Sequence, residues 1–551
     1  MAEKVYAPGE PYKYQLLIKH ILEMPLAFAP NQEIVYRDKV RLTYRTLNER
    51  IHRLANGLEK IGVGKGDTVC IFDYDSHRYL ECFFAVPMMG AIMHTQNWRL
   101  SPEQILYTMN HAEDKIVLIH QDFVPLLEAI WDKLTTVKKV VLITDDGNRP
   151  AAKFPFDAEY EEMLAGSAPR YDFPDFDENT QASIFYTTGT TGLPKGVHFS
   201  HRQLVLHAQA LLLATGSYQS IARCQTNDVY MPITPMFHVH AWGFPWAATL
   251  LGVKQVYPGR YEPAMLLKLI LTERVTFSHC VPTIIQMLVT SPAAKQYDLS
   301  FWKVIIGGAR LPKALALEAM KLGIQIFAAY GMSETCPLLT AANLKPWMIK
   351  ETIKDTMEQN VDTLVKTGLP APLVYVRLKD PLGRDVPHDG VATGEVCVRS
   401  PWLTESYAKD PERSKELWVD GWLHTGDVGL IDTEGYLQVT DRIKDVIKTG
   451  GEWISSQELE NLVANHEAVA EAAAIGIPDP KWGERPFLVA VLKPDYVGKI
   501  TGEELREYVL KASEAGKIPK YGVPDRIEIV SAIPKTSVGK INKVELRKSY
   551  I

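Results

Sequence analysis

The sequence predicts an α/β protein: a large N-terminal domain of parallel-rich sheets covered by helices, followed by a smaller α+β domain. Three observations predict it. Apolar runs of strand length alternate with helical spacings from residue 30 to 143, and again from 254 to 331. Between these stretches a strand-like run, Ala182-Ser-Ile-Phe185, opens into a Thr/Gly-dense loop, Tyr186-Thr-Thr-Gly-Thr-Thr-Gly-Leu-Pro-Lys195-Gly. Beyond Asp441-Arg-Ile-Lys444 the chain changes to a compact pattern of helix, strands and helix, ending in Pro534-Lys-Thr-Ser-Val-Gly-Lys540. The expected boundaries are 1–443 and 444–551.

Taken in order, Leu47, Ile51, Leu54 and Leu58 fall on one helical face, with Thr43 placed to cap it and Gly62 to end it. Asp67–Phe72 reads as the next strand. Ser101-Pro-Glu-Gln104 is a capping box with proline at the first helical position. Strands follow at 115–119 and 140–143, and 147–180, rich in Pro, Asp, Gly and Ala, reads as a connector. In the second alternation, strands at 275–278 and 304–306, a helix at 312–320 and a strand at 324–327 are expected. Two polar loops, Gly307-Gly308-Ala309 and Ala329-Tyr-Gly331-Met-Ser-Glu334, leave the carboxyl ends of neighbouring strands, the edge where open α/β sheets bind ligands.

The 186–196 loop has the makings of a phosphate cradle. Glycines let backbone N–H groups approach an anion, and hydroxyls and an ammonium complete the shell. It is not the P-loop pattern, because only two residues separate Gly192 from Lys195. A net charge of −6 gives no electrostatic footprint for nucleic acid or an anionic membrane. Six scattered cysteines without a C-x-x-C pair argue against a zinc site and a disulfide framework, and fit a reducing compartment. No signal peptide or apolar run of membrane-spanning length is recognisable, so a cytoplasmic protein without stable membrane insertion is expected.

Six motifs in order resemble the adenylate-forming acyl-CoA synthetase, peptide-synthetase and luciferase superfamily: Tyr186–Gly196, Pro235-Met-Phe-His238, Tyr330-Gly-Met-Ser-Glu-Thr335, Gly394-Glu395, His424-Thr-Gly-Asp427 with Asp441-Arg442, and Pro534–Lys540. With Thr43-Tyr44 and Gly62-Val-Gly-Lys-Gly-Asp67, the resemblance covers nearly the whole chain. It implies a β-rich subdomain attached to the large domain, and a C-terminal domain that turns after the first half-reaction. It implies ATP, Mg²⁺ and coenzyme A as reaction partners, and a homodimer formed through the large domain.

Site residues follow from the same resemblance. Thr187, Thr188, Gly189, Thr190, Thr191, Gly192 and Lys195 would hold the β- and γ-phosphates. Glu334 with Thr187 would hold Mg²⁺, a hard cation suited to few protein oxygens. Tyr330, flanked by Gly308, Ala309 and Ala329, would stack on adenine, with Ser333 near the α-phosphate; the family more often has threonine at that position. Asp427 and Arg442 would reach the ribose. Lys540 would bridge the attacking carboxylate and the α-phosphate. Lys444 matches the pivot, with Gly450-Gly451 beside the pantetheine path, while Lys448 and Trp453 sit where relatives contact nucleotide or pantetheine.

The acid would lie among His238, Val239, Trp242, Gly307 and Gly331. His238-x-x-Ala-Trp242 resembles long-chain fatty acyl-CoA synthetases, whose tryptophan gates a fatty-acid tunnel, whereas Trp246 reads as an ordinary core aromatic. A medium- to long-chain fatty acid–CoA ligase is therefore expected. The sequence leaves open a ligase for a short, aromatic or methylthio-substituted acid, one that charges a carrier protein, a luciferase-type oxidation, and a non-catalytic nucleotide-binding regulator.

Overall fold

The computed structural model describes residues 9–187, 193–218, 223–449, 452–536 and 541–551. Thr188, Gly189, Thr190, Thr191, Gly192, Gly450, Gly451 and Lys540 lie outside the described residues, as does the side chain of Trp453.

Two large sheets carry the N-terminal part. The seven-stranded sheet runs, in spatial order, Ala158–Glu159, Lys139–Ile143, Asp114–His120, Thr68–Phe72, Ile92–Thr95, Gln181–Thr187 and Lys195–Ser200. Its pairs are parallel except the last, where Gln181–Thr187 meets Lys195–Ser200 antiparallel, with Thr187 opposite Lys195. The two ends of the Tyr186–Gly196 motif therefore lie on paired strands. The nine-stranded sheet places Val229–Pro232, Phe277–Cys280, Lys303–Ile306 and Gln325–Gly331 parallel and adjacent. The strand expected at 275–278 sits two residues later, because Val275 closes the preceding helix by donating to Ile270 O.

Helices cover these sheets where the periodicity puts them. Tyr44–Lys60 starts at Thr43, whose hydroxyl accepts from Thr46 N, and Leu47, Ile51, Leu54 and Leu58 are all fully buried. Each such side chain stabilises the fold by about 2 kcal/mol through removal from water. The capping box at Ser101 forms as expected on helix Pro102–Ala112.

The 147–180 stretch departs from the connector reading. It holds the edge strand Ala158–Glu159 and helix Tyr160–Ala165, capped by Glu159 accepting from Glu162 N. Tertiary partners stabilise so short a helix: Tyr160 donates to Glu81 at 2.7 Å, and Glu161 pairs with Arg50 and Arg78.

A third sheet of five strands, including Tyr375–Lys379, Gly394–Arg399, Trp422–Ile431 and Leu437–Arg442, forms the β-rich subdomain. From Ile447 onward a separate five-stranded sheet packs with helices Ser456–Ala464 and Gly502–Glu514 around its own core of Leu459, Val463, Leu488, Leu505 and Val509.

Candidate active site

One cavity of about 1000 Å³ lies where these parts meet. Thr187 and Lys195 line it from their paired strands, Gly307, Gly308 and Ala309 from one strand end, and Ala329, Tyr330, Gly331, Ser333 and Glu334 from the next. His238, Val239 and Trp242 form another wall; Asp427, Arg442, Lys444 and Lys448 complete the lining. The expected residues that fall within the described part are therefore brought together, apart from Trp453, of which only the backbone is described, paired with Lys448.

Tyr330, Asp427 and Arg442 form a linked polar set. Tyr330 donates to Asp427 Oδ2 at 2.7 Å, and Arg442 Nε lies 3.3 Å from Asp427 Oδ1. Asp427 and Arg442 face each other across paired strands, so backbone register aligns them. The Tyr330 ring is held by its hydroxyl, and each Asp427 oxygen retains a second lone-pair direction for a ligand hydroxyl. Burial first, and then the Asp427 carboxylate, push the Tyr330 phenol well above its ordinary pKa. Gly394-Glu395 and His424–Asp427 join here too: Glu395 accepts from Gly426 N at 3.1 Å and hydrogen-bonds His424 Nδ1 at 2.8 Å. Only glycine suits position 331, where a Cβ would lie 1.8 Å from Pro337 O.

The wall that carries Lys195 and Glu334 has a residue that the sequence did not single out. Tyr407 donates to Glu334 Oε1 at 2.7 Å, and Lys195 Nζ lies 4.3 Å from the centre of the Tyr407 ring. One aromatic thus fixes both Lys195 and Glu334 on this wall. A lone tyrosine in a polar loop carries no pattern by which to find it.

The wall that carries Trp242 is built on a left-handed turn. Val239, His240, Ala241, Trp242 and Gly243 all have positive φ, between 47° and 74°. Left-handed backbone costs about 1–2 kcal/mol per non-glycine residue, so tertiary contacts must hold this turn. Trp242 stacks on His279 with ring centres 4.9 Å apart, and a Cβ on Gly307 would come within 2.9 Å of the indole. Burial holds His279 neutral, its pKa down to about 3, while it hydrogen-bonds Tyr230 and Thr234. Trp246 is a core residue, fully buried, with its indole N–H on Phe83 O.

Two buried side chains of the first sheet grip the Pro235–His238 segment. Asp75 accepts from Met236 N at 2.8 Å, and Thr95 donates to Phe237 O at 3.0 Å. Asp75 also takes the Tyr261 hydroxyl at 2.5 Å. The sequence reading missed both, although Asp73-Tyr-Asp75 directly after the apolar strand Thr68–Phe72 was a visible signal: acidic groups at the ligand-bearing end of a strand.

Comparison with known proteins identifies the family. The AMP-binding enzyme model matches residues 24–408, and the AMP-binding enzyme C-terminal domain model matches 458–540. The chain belongs to the AMP-binding enzyme family. It is similar to the long-chain-fatty-acid–CoA ligase of Thermus thermophilus, 41% identical over 97% of this chain and 96% of that protein. It is similar to the 3-methylmercaptopropionyl-CoA ligase of Ruegeria lacuscaerulensis, 37% identical over 98% of each. Among solved structures, the anthranilate CoA ligase AuaEII in complex with anthranoyl-AMP superposes with TM-score 0.84 at 25% identity, covering 99% of both chains.

The C-terminal unit of this AMP-binding enzyme meets the cavity through a buried ionic cluster. Asp441 accepts from Ser456 N, and Lys543 Nζ lies 2.7 Å from Glu460 Oε1 beside Ser456. Burial pushes the Glu460 carboxyl up, with the Lys543 charge acting the other way. These groups join strand Leu437–Arg442 to helix Ser456–Ala464. Among the described residues, no helix is long and apolar enough to cross a membrane.

Proposed function

We propose that this AMP-binding enzyme is an ATP-dependent fatty acid–CoA ligase, producing acyl-CoA, AMP and pyrophosphate through an acyl-adenylate. The observation that carries this reading is the continuity of the cavity: the Tyr330–Asp427–Arg442 set and the Lys195–Tyr407–Glu334 set share it with Trp242, which is backed by His279.

The chemistry brings a carboxylate to the α-phosphorus of ATP, so two anions must be aligned and their repulsion offset. Lys195 and the loop hydroxyls would hold the departing β- and γ-phosphates. Asp427 and Arg442 would fix the ribose, and Tyr330 the base. Glu334 and Thr187 present hard oxygens on the cavity wall, which fits Mg²⁺; bound there, it would neutralise phosphate charge. His238 would orient the acid at the mouth of the acyl site, with its segment held by Asp75 and Thr95. Lys540 would bridge the carboxylate and the α-phosphate. A C-terminal domain of residues 444–551 would then turn about Lys444, withdrawing Lys540 and admitting coenzyme A past Lys448, Gly450-Gly451 and Trp453. Dimerisation through the large domain belongs to the same proposal.

A panel of acids tests it: butyrate to stearate, 3-methylmercaptopropionate and benzoate, each with ATP and coenzyme A, read by pyrophosphate release and thioester mass. Medium- and long-chain acids are expected to give the highest kcat/KM. Preference for 3-methylmercaptopropionate, the substrate type in the name of the Ruegeria protein, would replace fatty acid by a substituted short acid. Absence of any acyl-adenylate would overturn the reading.

A further inference from the structure

Arg310 follows Gly308-Ala309 at the carboxyl end of strand Lys303–Ile306 and lines the central cavity. Nothing expected of the site uses it. The guanidiniums of Arg50 and Arg78, which are shielded from water, and of Arg442, which is partly exposed, each lie beside a carboxylate. Arg310 has no hydrogen bond or ion pair among the described residues. Burial pulls its pKa below the ordinary arginine value, with only the charge of Glu458 acting in the other direction. Glu458 stands on helix Ser456–Ala464, across the cleft between the two units, and is beyond ion-pairing distance. Arg310 is half-buried on the cavity wall and no carboxylate neutralises it there, so its guanidinium is open to an anion that enters the cavity.

The neighbouring groups narrow the ligand. The carboxylate of the acid has His238, and the β- and γ-phosphates have Lys195 and the loop hydroxyls. In the proposed mechanism the α-phosphate has Lys540 alone, shared with the attacking carboxylate, and the phosphates of coenzyme A have no cation assigned to them. A planar guanidinium fork matches phosphoryl oxygens in pairs. We infer that Arg310 is a phosphate-binding residue at the domain cleft, contacting a phosphoryl group of ATP or of coenzyme A. The inference rests on the coenzyme A ligase reading for the identity of the two sources, and on the unpaired guanidinium for the subsite itself.

The test compares wild type, Arg310→Met, Arg310→Lys and Glu458→Gln in separated half-reactions. The KM for ATP is taken from acid-dependent pyrophosphate exchange, and the KM for coenzyme A from thiolysis of preformed acyl-adenylate. Arg310→Met is expected to raise one of these values about 10- to 100-fold, the scale of a lost charge-assisted hydrogen bond, with kcat changed less than about threefold. Arg310→Lys should recover part of the loss. A rise confined to ATP assigns the nucleotide phosphate, and one confined to coenzyme A assigns the thiol substrate. Unchanged KM values in both arms overturn the inference. So does an equal effect of Glu458→Gln, which would make Arg310 a cleft ion-pair residue only. Calorimetric titration with AMP and with adenosine 3′,5′-bisphosphate reads the subsite without turnover. If wild type makes no acyl-adenylate yet Arg310→Met weakens one of these ligands at least tenfold, the ligase reading fails and the subsite stands. If neither ligand is weakened, the subsite fails. Should Arg310→Met not fold, Arg310→Lys carries both measurements: it keeps the charge and loses the fork, and an unaltered affinity for both ligands sinks the idea.

Discussion

Two side chains show how position rather than type sets a residue's role. Lys540 carries the first half-reaction in the proposed mechanism, so Lys540→Ala should slow acyl-adenylate formation by about 10²–10³-fold, the loss seen when one preorganised charge donor is removed. Thiolysis of preformed adenylate should be nearly unaffected, and equal losses in both steps would remove the assignment. Asp75 makes the opposite kind of case. Burial raises its carboxyl to about 7, while Met236 N and Tyr261 favour the charged form less strongly. In the unfolded chain the group titrates near 3.9, so between the two values the folded protein holds a proton that the unfolded chain has released. Stability attached to that proton is full below about pH 4 and is lost as the pH rises toward 7, at about 1.4 kcal/mol per pH unit. Asp75→Asn removes this dependence. Its unfolding free energy, measured against wild type from pH 4 to 7, should therefore gain with rising pH, and a constant difference would show that Asp75 does not titrate there.

Among the elements, the left-handed turn at 239–243 and the helix Ser456–Ala464 depend most on what surrounds them. The turn places Trp242 on the cavity wall; the segment leading into it is held by the Asp75 and Thr95 bonds, and His240 within it by buried aromatics. The helix is docked by Glu460 on Lys543 and by Ser456 N on Asp441. Removing one member of a buried ion pair strands the other charge, which costs about 3–5 kcal/mol when no second partner remains. Asp441 and Asp445 still face Lys543, so Glu460→Ala should destabilise the C-terminal unit by less than that, about 1–3 kcal/mol. Denaturant unfolding followed by Trp482 fluorescence would report it; a loss under about 1 kcal/mol would mean that those two carboxylates replace Glu460.

For the molecule as a whole, two half-reactions in one cavity require that the groups serving the first make way for the second. Lys444 lies between the strand ending at Arg442 and the separate core that starts at Ile447. Proline at 444 would restrict the backbone there by fixing φ near −65°. Lys444→Pro is expected to keep acyl-adenylate formation within about threefold and to slow thioester formation at least tenfold, with both steps timed by rapid quench. If both slow together, the turn is not about this residue.

The sequence alone determined the α/β class, the helix on Thr43, the capping box at Ser101 and the order of the motifs, because caps, periodicity and glycine spacing are local and each is visible within a few turns of chain. It also supplied nearly every member of the site, since charges and hydroxyls set out of a periodic pattern stand out against apolar strands. Tertiary structure alone decided what joins them. Tyr407 ties Lys195 to Glu334, and Asp75 reaches Met236 across 161 positions. Pairing of Gln181–Thr187 with Lys195–Ser200 brought the two ends of the Tyr186–Gly196 motif together, and Arg50 and Arg78 gave the 147–180 stretch a helix that its composition concealed. Each of these depends on a partner far along the chain, and no local propensity records where that partner will be.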